Sequence, residues 1–235
     1  MNVLITGASR GIGAAIARAF AAPGRTLALN YLQNEAAARA VAADCEAKGA
    51  VAIPVQGDVR SEADLKRLAA LFAVDVLVHN AAIGALKPYD KIRSGQWDLT
   101  LESSLRPFWL LTRLCTLRDG ANVVGISSLG SRRFIPGYAA MGAAKAGLEA
   151  LTHQLAVELA PRVRVNTICG GLIRTDALTY LPEGAAMLEM AEKHTPLGRA
   201  GRPEDIADAV TLLCDPRAAW ITGQVIVCDG GLSLL

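Results

Sequence analysis

A short apolar run, Val3-Leu4-Ile5, passes directly into Thr6-Gly7-Ala8-Ser9-Arg10-Gly11-Ile12-Gly13. A helical pattern follows, carried by Ala14, Ile16, Ala17 and Phe20 and ended by Pro23-Gly24. Three apolar residues without polar alternation suit a strand buried on both faces. Strand, Gly-rich turn and helix together make a phosphate cradle: glycines let the backbone approach a pyrophosphate, and the helix N-terminus offers it free N–H groups. Gly7, Ser9, Arg10, Gly11, Ile12 and Gly13 are therefore candidate cofactor-binding residues.

The same alternation continues to the end of the chain. Further strands are expected at 26–30, 51–55, 74–78, 122–126, 163–168 and 224–227. Helices are expected at 35–48, 65–72, 97–117, from Tyr138 through Leu159, and at 205–214. Pro107 should perturb the backbone of the long 97–117 helix, because it has no N–H to donate. Residues 172–199 are looser, with Pro182, Gly184, Met187 and Met190, a composition that suits a mobile lid over an apolar ligand. Seven apolar strands alternating with helices, with no linker, predict an α/β protein. Its core is a Rossmann-type doubly wound seven-stranded parallel sheet with helices on both faces. Residues 1–235 read as one NADP(H)-binding domain. Ligands should lie at the C-terminal strand ends, where Gly7, Asn80, Ser128 and Gly171 fall.

With 235 residues, 52% of them hydrophobic, the chain can bury a large core. A net charge of +2 and no basic run argue against nucleic acid, and no apolar run is long enough to span a bilayer. The five scattered cysteines read as reduced thiols of a cytoplasmic protein, and the three separated histidines suggest no zinc site. No leader peptide is expected, because the first strand begins right after Met1.

An acid at the end of the second strand is the usual selector for NAD. Here that position reads Asn30-Tyr31-Leu32-Gln33-Asn34, which makes Asn30 the candidate cofactor contact in place of an acid, while Arg10 in the Gly-rich turn is placed to pair with a 2′-phosphate. Both features point to NADPH. Asp58, followed by Val59, sits either to contact the adenine amine or to cap the next helix. Asn80-Ala81-Ala82 follow the fourth strand directly.

Tyr138 and Lys145 stand seven residues apart, with Ser128 upstream. At about 100° per residue a seven-residue step returns to within about 20° of its starting direction, so the two would share one helix face. An ammonium fixed beside a phenol should lower the phenol pKa and make it a better proton donor.

These motifs resemble the short-chain dehydrogenase/reductase superfamily over essentially the whole chain. The resemblance rests on Thr6-Gly7-x-x-x-Gly11-x-Gly13, Asp58-Val59, Asn80-Ala81-Ala82, Ser128, Tyr138 with Lys145, Arg164-Val165-Asn166, Gly171 with Ile173 and Thr175, and Asp229-Gly230-Gly231. Most of that superfamily, including the β-ketoacyl-carrier-protein reductases, has Tyr four residues before Lys; here that position is Met141. The Tyr138-x6-Lys145 spacing is similar to that of the enoyl-[acyl-carrier-protein] reductases. Ile126-Ser127-Ser128-Leu129-Gly130-Ser131, the run Thr175-Asp176-Ala177-Leu178, Thr195-Pro196 and the chain end resemble enoyl reductase III in particular. The superfamily's active-site Asn corresponds to Ser104, which puts its proton-relay water in doubt.

The resemblance implies NADPH-dependent reduction of a trans-2-enoyl thioester in fatty acid or polyketide-type biosynthesis. Tyr138 would bind the thioester oxygen, Lys145 the nicotinamide ribose, and Ser128 would assist, with Ser104 the remaining candidate. Moving a phenol three residues along a helix shifts it about 4.5 Å, which suits an oxygen remote from the reduced carbon. Two rivals share the motifs: a 3-ketoacyl thioester reductase, and an NADP-binding protein without turnover. The resemblance also implies a homodimer or homotetramer. Arg132, Arg133 and Lys193 are candidates to meet an acidic acyl carrier protein, or are scattered solvated charges.

Overall fold

The computed structural model describes residues 1–175 and 184–235. Seven strands among them form one sheet: β1 (Asn2–Ile5), β2 (Thr26–Tyr31), β3 (Val51–Gln56), β4 (Val74–His79), β5 (Leu117–Ser128), β6 (Val163–Gly170) and β7 (Val225–Cys228). Their order is β3-β2-β1-β4-β5-β6-β7, and every pairing is parallel. The helices between them are α1 (Gly11–Phe20), α2 (Glu35–Glu46), α3 (Glu62–Ala69), α4 (Ser94–Ser104), α5 (Arg106–Leu114), α6 (Ala139–Glu158), α7 (Gly184–His194) and α8 (Pro203–Cys214).

Successive strand residues face opposite sides, and both sides are covered. Val3, Ile5, Leu27, Leu29, Val76 and Val78 pack with α1, α2 and α8. Leu4, Ala28 and Leu77 pack on the other side with Leu65 of α3, Phe108 and Leu111 of α5, and Leu148 and Leu155 of α6. That two-sided burial explains why the strands read as unbroken apolar runs. The chain builds outward from β1 through β2 to β3, then returns to place β4 on the other flank of β1. The reversal opens a crevice at the C-terminal ends of β1 and β4, where ligands of such sheets bind.

Several boundaries differ from the sequence pattern. The expected 97–117 helix is two helices that break at Leu105, with Pro107 in the first turn of α5. Proline cannot donate to the Ser103 carbonyl, so the ladder restarts: Leu105 N–H donates to Leu101 O at 3.0 Å and Phe108 N–H to Leu105 O at 3.1 Å. α3 begins at Glu62 rather than at 65, because Ser61 Oγ accepts the Asp64 N–H at 3.2 Å and caps it. β5 begins at Leu117 rather than at 122. Its polar start shifts register against β4, from Val74↔Leu117 to Val76↔Asn122, and Gly120 N–H donates to Arg162 O at 2.7 Å.

The expected lid at 172–199 lies partly outside the described residues, as do Asp176, Ala177, Leu178 and Pro182. Of its described parts, Ile173 bridges to Gly201, and α7 carries Met187 and Met190. Among the described residues no helix is long and apolar enough to cross a membrane.

Candidate active site

Gly7 and Gly11 adopt φ of +65° and +54°, a region that side-chain-bearing residues rarely enter. Gly13 is needed for a different reason: a methyl there would overlap the Gly7 carbonyl oxygen and lie 2.6 Å from Asn80 Nδ2. The turn is held from both flanks. Asn80 Nδ2 donates to Thr6 O and Gly7 O, each at 3.0 Å, and Thr6 Oγ1 accepts the Asn80 and Ala81 N–H groups at 3.1 and 3.0 Å. On the other flank, Asn30 Oδ1 accepts the Gly7 N–H at 3.4 Å while its Nδ2 donates to Gly57 O at 2.9 Å.

Asn30 and Asn80, expected to bind cofactor, therefore spend their side chains on the cradle itself; Asn30 is 2% exposed. Among the described residues no side chain caps the N-terminus of α1, where Arg10 is the exposed N-cap residue and Ser9 and Ile12 are partly exposed. The first N–H groups of α1 are thus available to an anion. The loop after β6 closes over this turn: Thr175 Cγ2 lies 3.5 Å from where a Gly11 methyl would sit. Gly171, at the start of that loop, donates its N–H to Cys228 O at 3.1 Å, and a methyl on it would lie 2.7 Å from Asp229 Cβ.

Asp58 does not cap the next helix, whose N-cap is Ser61. Its carboxylate is held by the Arg60 guanidinium at 2.6 Å, which keeps its pKa below the usual carboxylate range. Val59 is buried in the core beside α3, so only its backbone can face a ligand. Ala82 is exposed, Ala81 partly so, and Ile173 packs into the core with α8.

Strand register places the candidate side chains along the C-terminal ends of β4 and β5. His79 of β4 lies opposite Gly125, and Ser128 at the end of β5 lies opposite Gly170 of β6. Tyr138 is not inside the helix that carries Lys145. It is the N-cap residue of α6, at φ −102° and ψ 9°, because Pro136-Gly137 stop the helix from starting earlier. Its ring lies on Gly130: any methyl on Gly130 would overlap the ring carbons Cδ1 and Cε1. Gly142 of α6 in turn packs against the Gly130 carbonyl oxygen, 2.6 Å from where its own methyl would be.

The electrostatics also differ from expectation. Burial raises the Tyr138 pKa, and the neighbouring Ser128 hydroxyl pulls it the other way. Lys145 does not activate the phenol in this state. It is 5% exposed, donates to Ile126 O at 2.7 Å, and burial lowers its own pKa to about 8. The position one turn before Lys145 holds Met141, 7% exposed, with its methyl so close to Gly84 that a methyl there would overlap it.

Ser104 is fully buried and donates to Ile83 O at 3.3 Å. Its carbonyl accepts from His79 Nε2 at 3.3 Å. A carbonyl cannot donate, so Nε2 carries the proton and Nδ1 accepts from Thr6 Oγ1, also at 3.3 Å. His79 thus ties the base of the Gly-rich turn to the α4–α5 break, a role its place at a strand end did not disclose. Burial, reinforced by the charge of Lys145, lowers its pKa from 6.5 to about 3.

Neutral His79 makes the fold acid-sensitive. Between pH 6.5 and about 3 the unfolded chain takes up a proton that the folded one refuses, so stability falls as pH falls through that window. At pH 4.5 this residue should cost roughly 2–3 kcal/mol relative to pH 7.5. Urea titrations at the two pH values should show this loss, and His79→Gln should remove it. An unchanged pH slope in the variant would disprove the assignment.

Arg132 and Arg133 are exposed, and both are bonded within the chain. Arg132 Nε pairs with Glu149 at 2.9 Å, and Arg133 donates to the Leu232 and Leu235 carbonyl oxygens near the chain end. Lys193 is exposed on α7.

A family model described as "Enoyl-(Acyl carrier protein) reductase" matches residues 7–233. A 1-cyclohexenylcarbonyl-CoA reductase of Streptomyces collinus is 36% identical over 242 residues, covering 99% of this chain and 86% of its own. A 3-oxoacyl-[acyl-carrier-protein] reductase of Synechocystis sp. is 36% identical over 240 residues, covering 97% and 95%. A solved short-chain dehydrogenase/reductase from Serratia marcescens superposes with a TM-score of 0.91 at 28% identity, covering 99% and 97%. The angucycline C-6 ketoreductase LanV, solved with bound NADP, superposes with a TM-score of 0.92 at 27% identity, covering 100% and 96%.

Proposed function

The chain belongs to the short-chain dehydrogenase/reductase superfamily, and from that membership we propose that it uses NADPH to reduce the trans-2 double bond of an enoyl thioester. The observation that carries this reading is the placement of the phenol. Position 141, one turn before Lys145, is a buried methionine, and the tyrosine beside Ser128 is Tyr138, at the far end of the first turn of α6. A donor so displaced suits an oxygen three bonds from the carbon being reduced.

The cradle fits a dinucleotide, since Gly7 and Gly11 hold φ of +65° and +54° and, among the described residues, no side chain competes for the α1 N-terminus. The Gly7–Gly13 turn and the α1 N–H groups would hold the pyrophosphate, with Thr175 closing over it. Arg10 is exposed and paired with no carboxylate among the described residues. No acid follows β2, where Asn34 Oδ1 caps α2 instead, accepting the Ala37 N–H at 3.0 Å. Both features favour a 2′-phosphate and hence NADPH.

When bound, the cofactor would supply a hydride to the β-carbon, and a proton taken up at the α-carbon of the resulting enolate would complete the reduction. Tyr138 and Ser128 would donate to the thioester oxygen as it gains negative charge, as donors already aimed at where that charge develops. Lys145, released from Ile126 O, would hold the ribose and oppose build-up of negative charge nearby. Five thiols without disulfides suit a reducing compartment such as the cytoplasm. The whole chain, residues 1–235, would act as one cofactor-binding unit, within a homodimer or homotetramer.

The second reading, a 3-ketoacyl thioester reductase, is favoured by relatives named as 3-oxoacyl-[acyl-carrier-protein] reductases at similar identity. Matched enoyl and 3-ketoacyl thioesters of one chain length, on coenzyme A and on acyl carrier protein, separate the readings. NADPH oxidation should be at least about tenfold faster in kcat/KM with the enoyl substrates, a difference of about 1.4 kcal/mol. Faster ketoacyl turnover would establish the second reading. Tight NADPH binding with no turnover of either would establish a binding protein.

A further inference from the structure

We propose that Glu149 is a positioning residue that holds the Ser128 turn, and with it the Tyr138 ring, in reactive register. Glu149 lies one helical turn beyond Lys145 on α6, so the two side chains leave the same face. It is 7% exposed, yet both carboxylate oxygens are occupied. Oε1 accepts from Ser127 Oγ at 2.7 Å and from Ser131 Oγ at 2.6 Å, and Oε2 accepts from Arg132 Nε at 2.9 Å.

The two serines flank the candidate site. Ser127 immediately precedes Ser128 at the end of β5, and Ser131 ends the 3₁₀ turn Leu129–Ser131 that follows it. One carboxylate therefore clasps both ends of the segment that bears Ser128 and Gly130. Gly130 is the surface on which the Tyr138 ring rests. Lys145 grips the preceding residue through Ile126 O, so α6 holds the end of β5 with two buried charges. A charge-assisted bond to a carboxylate is about twice as strong as a neutral one, and three converging donors repay part of the desolvation cost of the anion. A surface ion pair with Arg132 alone would need no buried acid. The convergence on the turn is what the burial serves.

This inference rests on Ser128 and Tyr138 acting on the substrate, but not on whether that substrate is an enoyl or a ketoacyl thioester. The test is a double-mutant cycle of Glu149→Gln and Ser128→Ala on the full-length protein, with the better thioester. Glu149→Gln keeps the size and one acceptor oxygen but loses the charge. It should lower kcat by about 10–100-fold, the scale of a reacting group misplaced by less than 1 Å, with NADPH affinity within about twofold. In the Ser128→Ala background the same change should cost several-fold less, because one of the two hydroxyls it positions is gone.

Ser131→Ala, which removes a single donor, should move kcat in the same direction by a smaller factor and guards against a misfolded Glu149 variant. Multiplicative losses in the double variant, or a parallel fall in NADPH affinity, would overturn the proposal and leave the site reading standing. If Ser128→Ala and Tyr138→Phe both left turnover unchanged, the site reading and this proposal would fall together.

Discussion

Tyr138→Phe should lower kcat by about 10²–10⁴-fold, the range for loss of a positioned proton donor or oxyanion partner. The phenylalanine ring keeps its place on Gly130, so packing is retained and only the hydroxyl is lost. NADPH affinity, measured by quenching of the intrinsic or cofactor fluorescence, should stay within about twofold, since the hydroxyl contributes to the reacting end of the site. Turnover within about threefold of the parent would remove the tyrosine from the mechanism, and with it the argument from its spacing.

The wild-type pH profile belongs to the same prediction. Burial raises the phenol pKa, so the hydroxyl is protonated across the neutral range and can donate. The alkaline limit is set instead by Lys145. With a pKa lowered to about 8, its ammonium is lost as pH rises through that value, and activity should fall with it. Stability moves the other way. From about 8 up to 10.5 the unfolded chain binds the proton that folded Lys145 has released, so this residue makes folding more favourable as pH rises. Opposite slopes of activity and stability above pH 8 would be the signature of a buried functional lysine. Parallel slopes would assign the activity loss to unfolding.

Gly13→Ala should abolish cofactor binding, weakening NADPH by more than about 100-fold, or about 2.7 kcal/mol. The new methyl would overlap the Gly7 carbonyl oxygen and press on Asn80 Nδ2 at 2.6 Å. Neither partner is free to move: Gly7 is bonded through its N–H to Asn30 and through its carbonyl to Asn80. Overpacking of this kind costs about 1–3 kcal/mol of stability, so the fold should survive with a lowered Tm while the cradle is displaced. Gly11→Ala is a useful contrast. Among the described residues its methyl meets only Thr175, at 3.5 Å, but φ of +54° makes the backbone strained. Calorimetry with NADPH, paired with thermal unfolding, reads both effects. Unimpaired affinity in the Gly13 variant would mean that the turn does not face the cofactor.

The elements that were legible before any coordinates share a property: their signal is local. The unbroken apolar runs of β1 and β4 announce burial on both faces, and the spacing of Gly7, Gly11 and Gly13 announces a turn opening a helix. The break at Pro107 was visible as a missing donor, although not its consequence of two separate helices. Met141 in place of a tyrosine, and Tyr138 seven residues before Lys145, needed only counting.

What the tertiary structure decided is where polar side chains spend their hydrogen bonds. Asn30 and Asn80 looked like cofactor contacts but brace the turn, while Asp58 is taken by Arg60, two residues away. His79 bridges Thr6 and Ser104, and Glu149 clasps Ser127 and Ser131, partners brought together from distant stretches by strand register and helix packing. Lys145 was expected to activate a phenol and instead donates to a strand-end carbonyl. Periodicity along a chain reports which face of an element is buried. It carries no record of which donor meets which acceptor once those faces close, and in this protein that pairing sets both the pKa values and the posture of the reactive groups.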